Sequence, residues 1–286
     1  MKKSVKNKKI GNEAKKKEIS ITVSNLHIKY RGLKKFSIKK SLLKMKGGRL
    51  EIFEALKGVS FEVEKGKILG IVGRNGSGKS TLLKSIAGIF SPDKGSINLH
   101  GNSISLLSIG VGFQPALSGY ENIFLSGMLL GFTEEQVREK LDDIIEFSEL
   151  GDFIYSPVKT YSSGMYSKLA FSITAILETD IMLIDEVLSV GDIQFKAKSY
   201  AKMKELISDT NRTVVIVSHS TETLRELCDV ILWLHEGEIK MLGECEEVLD
   251  KYKEFMDNDA LKREQAKKDE EEQLKKAIKE QTKKSA

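Results

Sequence analysis

A glycine-rich loop that ends in Lys79, Ser80 and Thr81 carries the clearest chemistry in this sequence. Its glycines allow positive φ and can direct successive backbone N–H groups toward a bound anion. The Lys79 ammonium suits the β- and γ-phosphates of a nucleotide, as a binding and catalytic group, and the Ser80 hydroxyl suits Mg²⁺. The spacing therefore predicts a cradle for a nucleoside triphosphate with Mg²⁺. The cradle consists of Gly73, Arg74, Asn75, Gly76, Ser77, Gly78, Lys79, Ser80 and Thr81.

Two carboxylates supply a second element of phosphate chemistry. Residues 181–184 are all apolar, and Asp185 and Glu186 come directly after them. In a parallel sheet, ligands bind beside the carboxyl ends of the buried strands. Asp185 is therefore predicted to hold Mg²⁺ through water. Glu186, one residue further on, is predicted to act as general base toward the attacking water.

The elements that position these residues can be inferred from the apolar spacing. Residues 68–72 predict a buried strand before the loop, and apolar residues at 82, 83, 86 and 87 predict a helix after it. Strands are also predicted at 181–185 and 213–217, with helical patterns between them. Helices between successive strands imply parallel pairing through crossovers, so we predict an α/β core.

The N-terminal third predicts antiparallel structure. Residues 20–30 alternate as an edge strand does, and strand character resumes over 55–63. We interpret residues 31–52, with many basic residues and two adjacent glycines, as an insertion that contains a short helix or loop. A hairpin is predicted from 96–99 and 103–107.

Further along, residues 112–175 predict a helical subdomain. Thr133 and Gln136 fit a capping box at the start of one of its helices. Val137, Leu141, Ile144 and Ile145 are predicted to lie on one face of that helix. A hairpin is predicted around residues 236 and 237.

The segment Tyr161-Ser162-Ser163-Gly164-Met165 opens another predicted helix. Small hydroxyl residues at a helix N-terminus cap it, and they also create an anion site from free N–H groups and the helix dipole. Both interpretations are compatible with these residues.

At this segment the chain resembles the ATP-binding subunits of ABC transporters. Their Leu-Ser-Gly-Gly-Gln motif aligns with residues 161–165, where only Ser162 and Gly164 match. The run YSSGM followed by LAFS, and then DEVLSVGD, is similar to the branch that exports polysaccharides and teichoic acids. The run IIEFSELGDFIYSPVKTYSSGM is similar to the teichoic-acid exporters of Gram-positive bacteria. The resemblance covers about residues 20–250.

This resemblance implies a RecA-like P-loop ABC nucleotide-binding domain with an antiparallel β subdomain and an inserted helical subdomain. It implies ATP and Mg²⁺ as ligands and a head-to-tail homodimer. Asp192 would lie in the loop that crosses the dimer interface, and His219 would contact the γ-phosphate. Tyr30 would stack on adenine, with Phe53 as its rival, and Gln114 is a candidate for the glutamine that contacts the metal. Tyr161, Ser162, Ser163 and Gly164 would contact the nucleotide held by the other copy.

Composition and charge predict a cytoplasmic protein. The chain has 286 residues, a net charge of +5, 40% hydrophobic residues and 30% charged residues. No apolar run approaches the ~20 residues that span a bilayer, and the lysine-rich N-terminus does not lead into a signal peptide. No aromatic residues interleave with those lysines, which disfavours nucleic acid. We predict a basic arm at 1–18, the nucleotide-binding domain at 19–250 and a charged, helical tail at 251–286.

The predicted function is that of an ATPase subunit on the cytoplasmic face of the membrane, bound to two copies of a separate polytopic permease. The complex would export a lipid-linked polymer, with teichoic acid favoured over capsule, O-antigen-like or rhamnose polymers. Two rivals remain: a soluble ABC ATPase that acts away from membranes, and a scaffold that uses ATP only to dimerise.

Overall fold

The computed structural model describes residues 18–32, 51–107, 112–185, 192–209 and 211–259. The described strands are β1 (Ile19–Gly32), β2 (Glu51–Glu64), β3 (Ile68–Val72), β4 (Lys94–Asn98), β5 (Ile104–Leu107), β6 (Ile181–Asp185), β7 (Thr213–Val217), β8 (Val230–His235) and β9 (Glu238–Glu244). The described helices are α1 (Lys79–Ile86), α2 (Gly119–Leu129), α3 (Glu134–Glu139), α4 (Leu141–Ser148), α5 (Ser163–Ile176), α6 (Ile193–Ile207), α7 (Thr221–Leu227) and α8 (245–259).

The larger sheet has the strand order β5-β6-β7-β3-β8-β9. Neighbouring strands from β5 to β8 pair in parallel, and β9 returns antiparallel to β8. Every residue of β7 is buried, as expected where helices cover both faces of a parallel sheet. The predicted α/β core is confirmed. The carboxyl ends of β3, β6 and β7 lie at the same edge, and this edge carries the loops with the phosphate chemistry.

The smaller sheet is antiparallel, with the order β2-β1-β4. The prediction that residues 20–30 form an edge strand was wrong, because β1 lies between β2 and β4. Its far side pairs with β4, for example Val23 with Ile97. Side chains on one face of β1, such as Ile21 and Val23, are buried in the core that this sheet shares with the larger one.

Two further predictions about this region need correction. The predicted insertion cannot include all of residues 31–52. Residues 31 and 32 belong to β1, residues 51 and 52 belong to β2, and these two pairs of residues pair with each other. Residues 33–50 lie outside the described residues. The predicted hairpin of 96–99 and 103–107 does not form. Instead β4 pairs with β1, and β5 pairs in parallel with β6 in the other sheet.

The helical subdomain comprises α2 to α5 and has its own core, which includes Ile123, Val137, Ile144 and Leu169. The predicted capping box is confirmed: the Thr133 hydroxyl accepts from the Gln136 N–H, and the Gln136 side chain accepts from the Thr133 N–H. The single helix predicted after it is broken, since α3 ends at Glu139 and α4 begins at Leu141.

The β8–β9 hairpin turns at Glu236 and Gly237, which both have positive φ, of 50° and 86°. This matches the prediction and the turn type that two-residue hairpins favour. In the described parts of the chain, no helix combines the length and apolar character needed to cross a membrane.

Candidate nucleotide-binding site

The phosphate loop lies after the buried strand β3 and leads into α1. Gly73 has φ 154°, and a Cβ there would lie 2.2 Å from the Leu234 carbonyl oxygen. Gly78 has φ 105°, and its Cβ would lie 2.7 Å from the Ala55 carbonyl oxygen. Both positions therefore exclude other residues, for backbone and for steric reasons. The loop is clamped between β2 and the end of β8.

Lys79 is only 6% exposed, and its ammonium lies inside this loop. It donates to the carbonyl oxygens of Gly73, at 2.7 Å, and Arg74, at 3.2 Å. These contacts hold a positive charge within the phosphate loop. An anionic phosphate would be a stronger acceptor for this ammonium than the neutral carbonyl groups.

A cleft of about 390 Å³ lies over the loop. His219 reaches it from the segment after β7, and its side chain is exposed. Asp185 ends β6 opposite Val217 of β7, so both lie at the sheet edge that carries the cleft. The structure thus brings His219 to the phosphate loop, and its contact with the γ-phosphate stays a prediction. The described lining residues are Asn75, Gly76, Gly78, Lys79, Ser80, Thr81, Val217 and His219.

Tyr30 lies next to the first turn of α1. Its hydroxyl is 3.1 Å from the Thr81 hydroxyl, and its ring packs edge-on against Phe90 at 5.9 Å between centroids. Phe53 is its cross-strand partner on β2. Both rings are exposed, Tyr30 by 39% and Phe53 by 59%. Either ring is therefore accessible to the base of a nucleotide, and Tyr30 also contacts the helix that begins at the phosphate loop.

A second cleft, of about 420 Å³, lies at the N-terminus of α5. The Ser162 hydroxyl caps this helix by accepting from the Met165 N–H at 3.2 Å. Asp192 caps α6 by accepting from the Phe195 N–H at 2.9 Å, and it lies in the same cleft. The structure therefore brings Ser162, Gly164 and Asp192 together, apart from the phosphate cleft. The described lining residues are Glu149, Leu150, Phe153, Ser162, Gly164, Met165, Lys168 and Asp192.

Lys168 forms ion pairs with two carboxylates that line the second cleft. Its ammonium is 2.8 Å from Asp192 and 3.3 Å from Glu149, and its side chain is only 14% exposed. The hydrogen bond from Lys168, with that from the Phe195 N–H, lowers the pKa of Asp192 to about 2. Lys198 and Lys168 lower the pKa of Glu149. These contacts connect α4, α5 and α6.

Lys168 and Glu149 were not predicted from the sequence. The available signal for Lys168 was that it is the one charged residue in the sequence of α5. Asn122, which is fully buried in α2, was not predicted either. Its side chain accepts from the Gln114 N–H and donates to the Gln114, Leu117 and Ser118 carbonyl groups.

Two predicted site residues, Tyr161 and Gln114, have other surroundings in the structure. The Tyr161 hydroxyl donates to the Phe153 carbonyl at 2.8 Å and supports the helical subdomain from within the same chain. Burial raises the pKa of this phenol. Gln114 is exposed in the turn before α2 and is not among the described residues that line the phosphate cleft. Glu186 lies outside the described residues.

These features define a P-loop nucleotide-binding protein with a second cleft at a capped helix. The family model for ABC transporters matches residues 56–189. The chain is similar to an O-antigen export system ATP-binding protein, RfbB, of Klebsiella pneumoniae. The two are 41% identical over 221 residues, 77% of this chain and 88% of the relative. The chain therefore belongs to the ABC transporter family.

A teichoic acids export ATP-binding protein, TagH, of Bacillus anthracis is 46% identical over 206 residues. These make up 72% of this chain and 37% of the relative. The chain spans less than half the length of several relatives that it matches.

Among solved structures, the dimeric post-hydrolysis state of the ATP-binding cassette MJ0796 bound to ADP and Pi is similar, with a TM-score of 0.60. It is 22% identical, and the match covers 79% of this chain and 98% of that one. This likeness concerns the fold, which is that of an ABC ATPase domain.

Proposed function

We propose that this chain is the ATP-hydrolysing subunit of an ABC exporter that moves a lipid-linked cell-wall polymer, with teichoic acid favoured, across the cytoplasmic membrane. The observation that carries the proposal is the presence of two separate clefts in one chain of this family. One holds the phosphate loop with His219, and the other holds Ser162 and Gly164.

The phosphate cleft fits a nucleotide with its metal. The cleft is open above Gly76, where an added Cβ would meet no atom within 4 Å. The Ser80 hydroxyl lines it, and the Asp185 carboxylate ends β6 at the same edge. Hydroxyl and carboxylate oxygens are the ligands that Mg²⁺ prefers. Bound there, Mg²⁺ would neutralise charge on the phosphates.

The second cleft supports a head-to-tail homodimer. The described residues that line it are all different from those that line the phosphate cleft, so one protomer presents two half-sites. A second copy would place its Ser162 and Gly164 against the nucleotide held by the first. The N-terminus of α5 offers N–H groups and a positive dipole end to the phosphates.

Hydrolysis needs one activated water. Its oxygen forms a bond to the γ-phosphorus while the bond from that phosphorus to the β,γ-bridging oxygen breaks, which releases ADP and phosphate. Glu186 takes the proton from this water, and Lys79 and His219 stabilise the negative charge on the transferred group. Tyr30 holds the adenine. Gln114 remains a candidate contact to the metal.

The partner is a separate polytopic permease, in two copies, which carries this subunit on the cytoplasmic face of the membrane. The similarity to TagH favours teichoic acid as the polymer, and the similarity to RfbB over 88% of that relative favours an O-antigen-like polysaccharide as the second candidate. Capsule and rhamnose polymers are ranked after these two. No role with nucleic acid is proposed.

The test combines copurification of the chain and its partner with a measurement of ATP turnover. The chain is coexpressed with the membrane protein encoded beside it, and phosphate release is measured on the reconstituted complex. Glu186→Gln should keep ATP binding and dimerisation while hydrolysis falls about 10²- to 10⁴-fold. Glu146→Gln, at an exposed position on α4, serves as the matched control.

Depletion of the chain in cells should then cause the loss of one polymer, whose identity decides between teichoic acid and the alternatives. Copurification with ribosomes in place of a permease would support the soluble rival. A complex that binds ATP without releasing phosphate would support the scaffold. Near-normal turnover of Glu186→Gln would remove Glu186 as the base.

A further inference from the structure

Helix α8 is firmly attached to the larger sheet. Val248 and Leu249 are fully buried beneath it. The Trp233 ring of β8 meets the edges of Tyr252 and Phe255, at 5.4 and 5.1 Å between centroids. An aromatic and aliphatic face of this size fixes the helix against the strand that neighbours β3.

The two ends of the described part of α8 contact different elements. Near its start, Glu246 and Asp250 form ion pairs with Arg225 of α7, the helix that comes after His219. At the other end of its described part, Asp259 accepts a hydrogen bond from the Arg74 guanidinium at 2.9 Å. The Arg74 and Asp259 side chains are 28% and 27% exposed, so solvent screens this pair only in part.

Arg74 belongs to the phosphate loop, and its backbone shapes that loop. Its carbonyl oxygen accepts from the Lys79 ammonium at 3.2 Å and from the Ser77 N–H at 3.0 Å. A shift of Arg74 would therefore move a carbonyl group that accepts a hydrogen bond from Lys79. Contacts run without a break from the body of α8 through Asp259 and Arg74 to Lys79.

We propose that Asp259 is a positioning residue for the ATP site: it holds Arg74, and through it the phosphate loop and Lys79, in the shape that binds nucleotide. This inference rests on the proposed ATP binding. Asp259 does not touch the nucleotide. The loop contacts the phosphates in the ground state and in the transition state. Losing the support of Asp259 therefore weakens binding of both states, and it raises KM more than it lowers kcat.

The experiment compares three variants of the full chain with the wild type. Asp259→Asn removes the charge and keeps the shape, Asp259→Glu restores the charge, and Asp257→Asn changes an exposed carboxylate on the same helix as control. Dissociation constants are measured with a fluorescent ATP analogue, together with KM, kcat and Tm.

Asp259→Asn should raise Kd and KM about 3- to 10-fold, between the effects of an exposed ion pair and of a charged hydrogen bond. The kcat value should stay within about twofold of wild type. Asp259→Glu should recover most of the affinity, and Asp257→Asn should match wild type. A purely structural role would lower Tm without this split between KM and kcat or the rescue by Glu.

A double-mutant cycle tests the route through Arg74. If Asp259 acts on the site through Arg74, Asp259→Asn should add little to the loss in Arg74→Gln. Additive losses, or a Kd for Asp259→Asn equal to that of Asp257→Asn, would overturn the proposal. A wild-type chain that binds no nucleotide would overturn the proposed function as well, so the two failures are distinguishable.

Discussion

The substitution Gly164→Ala distinguishes an effect on the folding of the chain from an effect on its proposed assembly into a dimer. Gly164 lies in the first turn of α5. A Cβ there would meet only the Ser162 hydroxyl oxygen, at 3.8 Å, among the described residues. Alanine is favoured over glycine in helices by up to about 1 kcal/mol, so the variant should be as stable as wild type or more stable. For a domain of this size that corresponds to a rise in Tm of at most about 4 °C.

The same methyl group would lie in the cleft that the proposed dimer closes over a nucleotide. Displacing a reacting group by about 1 Å can cost about 100-fold in rate, so phosphate release should fall about 10- to 100-fold. The assay pairs calorimetric Tm with phosphate release at saturating ATP. Normal turnover at an unchanged Tm would refute the placement of Gly164 against the nucleotide of a second copy.

Gly127→Ala in α2 is the matched control. Its Cβ would lie 2.3 Å from Val137 and 3.1 Å from Leu177, both buried. Overpacking costs about 1–3 kcal/mol, which exceeds the gain of up to about 1 kcal/mol in helix propensity. The Tm of this variant should therefore be lower than that of the wild type. A higher Tm would show that the helical subdomain relaxes around the added methyl group more than its packing implies.

Three further predictions concern the titrating groups and the subdomain core. Lys168→Met should raise the pKa of Asp192 from about 2 toward its ordinary value of 3.8, as measured by NMR titration, and an unchanged value would remove the ion pair as its cause. Because that pKa is lowered in the folded state, Asp192 stabilises the wild-type fold above about pH 4. This stabilisation is lost as pH falls through about 2. In denaturant titrations across this range, the free energy of unfolding of Lys168→Met should therefore depend less on pH than that of the wild type. Burial raises the pKa of the Cys228 thiol, so alkylation at pH 8 followed by mass spectrometry should be far slower in the native than in the unfolded chain; equal rates would contradict its burial. Ile144→Ala should destabilise by about 2–5 kcal/mol in denaturant titration, and more than Ile145→Ala, because Ile144 is fully buried and Ile145 half-buried; equal losses would contradict this difference in packing.

Local patterns were sufficient for much of the larger sheet and its phosphate loop. The apolar runs of β6 and β7 were predicted with the bounds that the structure gives, because strands buried on both faces have few polar interruptions. The cap at Thr133 and the turn at residues 236 and 237 were also predicted, since each depends on residues a few positions apart. Glycine spacing likewise indicated the loop that ends at Lys79.

Features that depend on distant partners were not predictable in this way. The strands at 94–98 and 104–107 are close in sequence, but β1 and β6 offer each of them a partner in a different sheet. Lys168 pairs with one carboxylate directly after α4 and with another directly before α6, so its role could be seen only in the tertiary structure. The hydrogen bond from Tyr161 to the Phe153 carbonyl is similarly invisible in a motif alignment.

The two clefts are separate in the fold but close together along the chain. Asp185 ends the strand beside the phosphate cleft, and Asp192 caps the helix at the second cleft, seven peptide steps later. Seven fully extended residues span at most about 25 Å. In a head-to-tail pair each protomer would serve one nucleotide near Asp185 and the other near Asp192. The two nucleotides of such a pair would thus bind at sites that are connected, within each protomer, by a covalent segment of at most this length.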